Sequence, residues 1–286
     1  MLEVLAPAKI NLALDVLHKR SDGYHEIEMV MQTVDLWDRL YIELTSSGIV
    51  ELDCQHHQVP LGAENLAWQA AELMLRQSGC GSGVKISLNK RIPVAAGLAG
   101  GSANAAAVIR GLNQLLELGL SHDEMVELGL QLGADVPFCI KGGTALARGI
   151  GQVLQDLTPP PPLWVALLTP EFSVSTAEIY NSFCPDQVET RPDIPGLVAA
   201  LEKGETEKMV NSMANVLESV TFRKLPMLAA IKEKAVNAGA LTALMSGSGP
   251  TVFALAADYQ RAVAISNSLS PLVECSHVVK FRGECQ

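Results

Sequence analysis

The chain has 286 residues, of which 48% are hydrophobic and 18% are charged. That composition supports a packed core of one large or two ordinary domains and excludes a disordered chain. The formal net charge is −10, from 21 basic and 31 acidic residues, and no basic run occurs. Nucleic acid is therefore not expected as a partner. No apolar run reaches the roughly 18 residues of a membrane span, so no membrane partner is expected.

Six cysteines are scattered along the chain, at positions 54, 80, 139, 184, 275 and 285. They show neither a CxxC pair nor the His/Cys spacing of a zinc site. The first residues resemble a strand rather than a charged segment followed by an apolar one, so we expect no signal peptide. Scattered cysteines without an export signal are typical of reduced thiols, and we therefore expect a cytoplasmic protein.

A long strand is predicted at positions 4–16, where apolar residues occupy every second place and form one apolar face. Lys9 and Asn11 fall side by side on the opposite face. A strand lysine is most often solvated, but a lysine here could also point into a cleft, and the alternation is compatible with both.

A hairpin tip follows at positions 20–25, because Asp22 and Gly23 form a turn signal between strand-like segments. Two ring side chains, Tyr24 and His25, end this turn, and Tyr24 is expected to be partly buried. Further strands are predicted at 27–33 and 41–44.

A helix is predicted from Asn65 to Arg76, closed by Gly79. Asn65 would be a polar group at the start of this helix. A strand at 84–88 comes next, because apolar residues alternate there, and Lys90 follows it directly.

The glycine-rich stretch at 93–105 lies between that strand and a helix predicted at 103–118. Gly97, Gly100 and Gly101 can take positive φ, and Ser102 is a natural N-cap. A helix start with free N–H groups favours a phosphate. The glycines alone are equally compatible with a tight connection that binds nothing, and the stretch fits neither a Walker loop nor G-x-G-x-x-G.

A capping box at 121–124 predicts another helix, which ends at Gly133. Asp135 follows in a loop, between the apolar residues Ala134, Val136 and Phe138. A single aspartate near a helix end is usually a turn former, but burying an unpaired carboxylate is costly. Asp135 therefore needs a cationic partner, for which Lys9 is the candidate.

Four consecutive prolines at 159–162 form a stiff connector, and we place the domain boundary there. The predicted domains are residues 1–158 and 163–286. In the second, a capping box at 175–178 leads a short helix through Tyr180, and further helices and strands make an α+β unit. A second glycine loop occupies 245–251, where a plain turn between strands is the simplest interpretation.

Three of these segments, at 6–12, 93–105 and 245–251, resemble the signatures of the GHMP kinases in the family order. Residues 133–138 resemble the region that carries the catalytic aspartate. The Asp-Gly-Tyr-His run at 22–25 resembles the branch whose acceptor is 4-(cytidine 5′-diphospho)-2-C-methyl-D-erythritol. The resemblance implies an α+β two-domain fold: an N-terminal α/β domain like ribosomal protein S5, a C-terminal ferredoxin-like domain, and an active site in the cleft between them.

The resemblance also implies site residues. Lys9 and Asp135 would be catalytic, and Asn11, Tyr24, His25, Thr176 and Tyr180 would bind the substrate, with the three rings holding the cytosine. The ATP-binding residues would be Asn65, Lys90, Pro93, Val94, Ala95, Ala96, Gly97, Leu98, Ala99, Gly100, Gly101, Ser102, Ala103 and Asn104.

ATP would be the phosphoryl donor, and Mg²⁺ is expected to arrive with it, although the sequence indicates no metal ligand. Many relatives carry a second serine where this chain has Ala103, so one hydroxyl that could touch phosphate or metal is missing. The partners would be ATP and the cytidine diphosphate substrate, and the protein would be a monomer or a homodimer.

The implied reaction is transfer of phosphate to the 2-hydroxyl of that substrate, a step of the non-mevalonate route to isopentenyl diphosphate. Two alternatives remain at this point. One is a GHMP kinase for homoserine or mevalonate, against which the Tyr24–His25 pair argues because those acceptors have no base. The other is a catalytically silent nucleotide sensor, against which the presence of both Lys9 and Asp135 argues.

Overall fold

The computed structural model describes residues 1–283 of the chain. Positions 284–286 of the second predicted domain, including Cys285, lie outside the described residues. No helix among residues 1–283 combines the length and the apolar character needed to cross a bilayer.

The first sheet has six strands. They are β1 (Leu2–Lys19), β2 (His25–Thr45), β3 (Val50–Cys54), β4 (Gly83–Asn89), β5 (Thr144–Gly149) and β6 (Val153–Asp156). The long strand β2 organises this sheet, because β1, β4 and β5 all pair with it in antiparallel fashion. The two separate strands predicted at 27–33 and 41–44 are therefore parts of one continuous strand.

Four helices belong to this half of the chain. They are α1 (Leu66–Ser78), α2 (Gly100–Leu115), α3 (His122–Leu130) and α4 (Val136–Lys141). The predicted cap at Ser121 is confirmed, because its side chain and that of Glu124 form a reciprocal capping box. Asn65 likewise caps α1, and Gly79 ends it in the left-handed conformation.

Strand β1 departs from the prediction of one apolar face, because it is buried on both sides from residue 6 to residue 16. Its pairing with β2 shifts between Pro7 and Lys9, between Asn11 and Ala13, and again further along. The first irregularity places two extra residues on β2, and each of the other two places one extra residue on β1. A single extra residue changes which side chains share a face. Lys9 and Asn11 lie between two of these irregularities. Bulges of this kind are common next to active sites.

The second sheet has four strands, in the order β10–β7–β9–β8. They are β7 (Trp164–Thr169), β8 (Thr242–Met245), β9 (Val252–Ala256) and β10 (Cys275–Lys280). Counted within this half, the order is 4-1-3-2 with antiparallel neighbours, which is the ferredoxin-like arrangement.

Six helices accompany this sheet. They are α5 (Thr176–Asn181), α6 (Ile194–Lys203), α7 (Thr206–Ser212), α8 (Glu218–Lys224), α9 (Pro226–Asn237) and α10 (Tyr259–Leu269). The chain leaves the helical conformation after Ser212 and begins α8 at Glu218. The intervening segment contacts β1, through a bridge between Leu14 and Asn215.

The hydrophobic core runs through both sheets. One cluster joins Ile10 and Val30 of the first sheet to Leu167 and Phe253 of the second. Another joins Leu14 of β1 and Met29 of β2 to the inner face of α9. The proline connector therefore separates two sheets along the sequence, whereas their side chains share continuous apolar packing.

Candidate active site

A cleft of about 840 Å³ contains most of the polar groups that the sequence singled out. Its walls come from β1, the β1–β2 hairpin tip, the loop before α2, the start of α4, α5 and the loop after β8. A cavity of this size is large enough to hold a small-molecule ligand.

Lys9 and Asp135 meet in the middle of this cleft. Lys9 Nζ lies 3.6 Å from Asp135 Oδ2, and the lysine side chain is only 5% exposed. The same ammonium group donates a hydrogen bond to Asn11 Oδ1 at 2.9 Å. Asn11 is held in turn through a contact of its Nδ2 with Met29 Sδ at 3.2 Å. The predicted cationic partner of Asp135 is therefore present, and its position is constrained from two sides.

Asp135 occupies the N-cap position of α4, and its side chain makes no capping hydrogen bond. Its apolar neighbours Val136 and Phe138 turn into the core, whereas the carboxylate is 32% exposed to the cleft. The expectation that apolar side chains enclose this carboxylate is therefore wrong. A carboxylate that is free of the helix and open to the cleft can accept a proton from a ligand.

The predicted phosphate loop has a left-handed backbone at three positions: Ala95 (φ 52°), Gly97 (φ 77°) and Ala99 (φ 55°). Gly100 and Gly101 do not take the positive φ expected of them, because they form the first turn of α2. At Gly100 the lack of a side chain leaves room for Lys90, because a Cβ there would lie 2.7 Å from Lys90 Nζ.

Ser102 lies inside the first turn of α2, and the N-cap position is Ala99. The expectation that Ser102 caps the helix is therefore wrong. Because Ala99 provides no side-chain hydrogen bond, the first N–H groups of α2 have no side-chain cap. Such groups, together with the partial positive charge of a helix start, attract an anion.

The second glycine loop packs directly onto the first. Ser246 Oγ donates to the carbonyl oxygen of Gly97 at 2.9 Å, and Thr251 N donates to that of Ala96 at 3.3 Å. A Cβ on Gly97 would lie 2.3 Å from the carbonyl oxygen of Ser246, so only glycine allows this approach.

Two rings meet at the other end of the cleft. His25, at the start of β2, and Tyr180, on α5, have ring centroids 5.5 Å apart with planes tilted by 39°. Tyr24 beside them is 62% exposed, so its expected partial burial is wrong. Burial lowers the pKa of His25, with a smaller contribution from Lys19, so the imidazole is neutral at neutral pH. Burial and then the charge of Asp135 raise the pKa of the Tyr180 hydroxyl.

Three further predicted residues also line the cleft. Thr176, at the start of α5, exchanges a hydrogen bond of 2.9 Å with Ser248 of the second glycine loop. Asn65 caps α1, and Lys90 follows β4 as a nearly buried ammonium group. The structure thus brings the predicted residues of both halves of the chain into one cleft.

Two predicted residues do not face the cleft. Leu98 is buried, and it contributes only its carbonyl oxygen, which accepts a hydrogen bond from Lys9 N at 3.1 Å. Ala103 packs into the apolar cluster around α1 and α2. A serine hydroxyl at position 103 would therefore face apolar side chains, so the missing hydroxyl removes no polar group from the cleft as it is arranged here.

Residues 65–143 match the family described as "GHMP kinases N terminal domain", and residues 197–272 match "GHMP kinases C terminal". A 4-diphosphocytidyl-2-C-methyl-D-erythritol kinase of Geobacillus thermodenitrificans is 48% identical over 284 residues, covering 99% of this chain and 98% of the relative. The chain belongs to the 4-diphosphocytidyl-2-C-methyl-D-erythritol kinase family of GHMP kinases. A relative of that name from Bacillus licheniformis is also 48% identical, over 98% of this kinase and 96% of its own length.

Solved structures agree with this membership. A crystal structure of a 4-(cytidine 5′-diphospho)-2C-methyl-D-erythritol kinase matches with a TM-score of 0.84 and 35% identity, covering 99% of this kinase and 100% of that chain. A homoserine kinase from Cytophaga hutchinsonii has a TM-score of 0.77 at 24% identity, covering 99% of this kinase and 96% of that chain, and so shares the fold. The predicted family, two-domain fold and kinase activity are confirmed. A homoserine or mevalonate type is not supported.

Sequence reasoning missed two buried polar residues of this kinase. Asn215 donates from Nδ2 to the carbonyl oxygens of Met245 and Gly247, both at 2.7 Å, and so holds the second glycine loop. Asp38, on β2, contacts residues on both sides of the first glycine loop. Neither lies in a motif, and the only signal was a polar residue inside an otherwise apolar segment.

The described residues of this kinase offer no dedicated metal site. Among residues 1–283, no three His, Cys, Asp or Glu side chains come together in a way that could hold a metal ion.

Proposed function

We propose that this protein transfers the γ-phosphoryl group of ATP to the 2-hydroxyl of 4-(cytidine 5′-diphospho)-2-C-methyl-D-erythritol, in the non-mevalonate route to isopentenyl diphosphate. The observation that carries the proposal is the order of groups along one cleft. The Lys9–Asp135 pair stands between a glycine loop suited to phosphate and the ring pair of His25 and Tyr180. The names of relatives that match over the whole chain point to the same acceptor.

The donor binds at the first glycine loop. The phosphates of ATP lie against the backbone N–H groups at the start of α2, where the helix has no side-chain cap. Lys90 and Asn65 line the same part of the cleft, and the adenine lies beside them. Mg²⁺ enters as part of the MgATP substrate, and we assign no side chain as its ligand.

Asp135 is the general base of the reaction. Its carboxylate takes the proton of the 2-hydroxyl while that oxygen forms a bond to the γ-phosphorus, and the bond from the γ-phosphorus to ADP breaks. Because the carboxylate makes no helix-capping bond and reaches the cleft, it is free to accept this proton.

Lys9 assists in two ways. Its ammonium group orients the attacking hydroxyl and offsets negative charge on the moving phosphoryl group. The hydrogen bond to Asn11 orients the ammonium group and prevents it from closing tightly on the carboxylate.

The cytosine of the acceptor binds between the rings of Tyr24, His25 and Tyr180. A neutral imidazole carries one nitrogen that accepts a hydrogen bond and one that donates, so it can pair with the edge of a base. Thr176 provides a hydroxyl next to these rings. We further propose a cytoplasmic location, because the five cysteines among residues 1–283 carry free thiols.

The test is release of ADP from MgATP with four acceptors: the cytidine diphosphate methylerythritol, methylerythritol phosphate, mevalonate and homoserine. Turnover is expected only with the first, since only that acceptor carries a base for the ring pair. Turnover with mevalonate or homoserine would contradict the acceptor. ATP binding without any turnover would indicate a nucleotide sensor instead.

Asp135→Asn tests the chemical step in the same assay. It should lower kcat by about 10²-fold or more while ATP affinity is kept, because a general base contributes to the transition state rather than to donor binding. Asp156→Asn is the control, since that carboxylate is 72% exposed and pairs with Lys141 outside the cleft. Turnover of Asp135→Asn near that of the control would remove Asp135 from this role.

A further inference from the structure

Asp38 is a fully buried carboxylate that belongs to no motif, and each of its two oxygens accepts two hydrogen bonds. Oδ1 accepts from the backbone N–H groups of Arg91 and Ile92, at 2.6 and 2.8 Å. Oδ2 accepts from Lys90 Nζ at 2.5 Å and from Asn104 Nδ2 at 2.8 Å. A carboxylate with four donors is fully satisfied, so its burial is compensated.

These four donors flank the first glycine loop. Residues 90–92 lead into the loop from β4, and Asn104 lies on α2, which follows it. Asp38 itself is on β2, the strand about which the first sheet is built. One side chain of a rigid strand therefore connects the two ends of the loop that approaches the donor.

We propose that Asp38 is a positioning residue for ATP, which fixes both ends of the glycine loop and holds Lys90 in place as a cation. The inference rests on the proposed function, because it assigns ATP to this loop. Asp38 does not line the cleft, so it acts through Lys90, Asn104 and the loop backbone rather than by touching the nucleotide.

The charge of Asp38 matters as well as its shape. Burial lowers the pKa of Lys90, and the nearby carboxylate of Asp38 opposes that shift. The Cys54 thiol is the other titratable group that acts on Lys90, and it contributes least. Replacing the carboxylate by an amide therefore leaves burial largely unopposed, and Lys90 loses its proton at a lower pH.

The experiment compares Asp38→Asn with the wild type in steady-state turnover. An amide nitrogen cannot accept hydrogen bonds, so one pair of donors loses its partner. We expect the KM for ATP to rise by about tenfold or more, the size of a lost hydrogen bond to a charged group, while the KM for the acceptor stays within about twofold. Equal changes in both KM values, or none, would overturn the inference.

Gln32→Met is the matched control. Gln32 is also fully buried on β2, and it bonds Thr144 and the carbonyl oxygens of Thr33 and Arg282, away from the cleft. It should lower the melting temperature without selective loss of ATP affinity. A selective rise of the KM for ATP in Gln32→Met would show that general destabilisation is sufficient, and would count against Asp38.

A pH profile separates positioning from packing. In Asp38→Asn, kcat/KM for ATP should fall on the alkaline side at a lower pH than in the wild type, because Lys90 deprotonates earlier. Lys90→Met should remove that alkaline limb in both backgrounds. An unchanged alkaline limb of the pH profile in Asp38→Asn would contradict the proposal that Asp38 holds Lys90 in its charged form.

If Asp38→Asn does not fold, the double variant Asp38→Asn/Lys90→Met leaves no unpaired ammonium group and is compared with Lys90→Met alone. A higher KM for ATP in the double variant is expected, since Asp38 still bonds the loop backbone and Asn104 in the single one. Equal KM values would overturn the inference. A wild type that binds ATP but turns over no acceptor would contradict the proposed function instead, and ATP affinities measured at equilibrium would then replace KM.

Discussion

At the scale of single residues, the proposed contact of His25 with the acceptor depends on the protonation state of its ring. Its ring lies 5.5 Å from that of Tyr180, and burial keeps its pKa below the ordinary histidine value of 6.5. The direction of this shift means that the neutral ring is the form present at neutral pH. Acidification therefore converts a ring that can both accept and donate a hydrogen bond into one that only donates.

We therefore predict that the KM for the acceptor is constant near neutral pH and rises, by up to roughly tenfold, as the pH falls below 6.5. The KM for ATP should not follow it, because the rings are at the other end of the cleft. His25→Gln should have a raised but pH-independent acceptor KM. The same acid rise in that variant would assign the effect to another group.

At the scale of elements, the two glycine loops form one unit. Ser246 donates a hydrogen bond to Gly97 of the first loop, and Asn215 holds the second loop by donating to the carbonyl oxygens of Met245 and Gly247. Asn215 also meets β1 at Leu14, so the strand with Lys9 and the second loop share one support. We therefore expect a disturbance where the two loops meet to be transmitted to β1, the strand that carries Lys9.

Gly97→Ala tests the contact between the two loops, where Gly97 packs against Ser246. A left-handed backbone is strained for alanine, and its Cβ would lie 2.3 Å from the carbonyl oxygen of Ser246, so one loop must move. We predict a loss of about 2 kcal/mol or more in the free energy of unfolding, and a drop in kcat/KM of at least tenfold. Denaturant titration and steady-state kinetics measure both.

Gly79→Ala is the control for strain alone. Gly79 also has a left-handed backbone (φ 63°), but nothing lies within 4 Å of its Cβ position. It should cost about 1 kcal/mol and leave kcat/KM unchanged. If the two variants behave alike, the close approach of the loops has no functional role.

At the scale of the whole molecule, the two sheets share their core. Leu167 of the second sheet belongs to the same buried cluster as Ile10 and Val30 of the first. Because neither sheet can lose its partner without exposing this apolar surface, the halves stabilise each other. The cleft between them is thus part of one cooperative structure.

We predict a single unfolding transition. The fluorescence of Trp68 in the first half and of Trp164 in the second, isolated by Trp→Phe variants, should change at the same denaturant concentration. Leu167→Ala should lower both midpoints together, at a cost of about 2–5 kcal/mol. Two separate midpoints would show that the halves unfold independently.

The sequence by itself was sufficient for the family and for most of the residues around the cleft. Motif residues such as Lys9, Gly97 and Asp135 carry their chemistry in residue type and local order, and the caps at Asn65 and Ser121 depend on neighbours a few positions away. The course of β1 was not predictable in the same way, because bulges and burial by a second sheet override simple alternation.

Only the tertiary structure decided which groups hold these residues in place. Asp38 meets Lys90 across 52 positions and Asn104 across 66, and Asn215 meets Met245 across 30. A contact between distant polar groups leaves no periodic pattern in the chain, whereas a helix cap or an alternating strand does. The sequence therefore determined the chemistry and the fold, and the packing of β2 and of the segment before α8 against the two loops determined the geometry in which that chemistry operates.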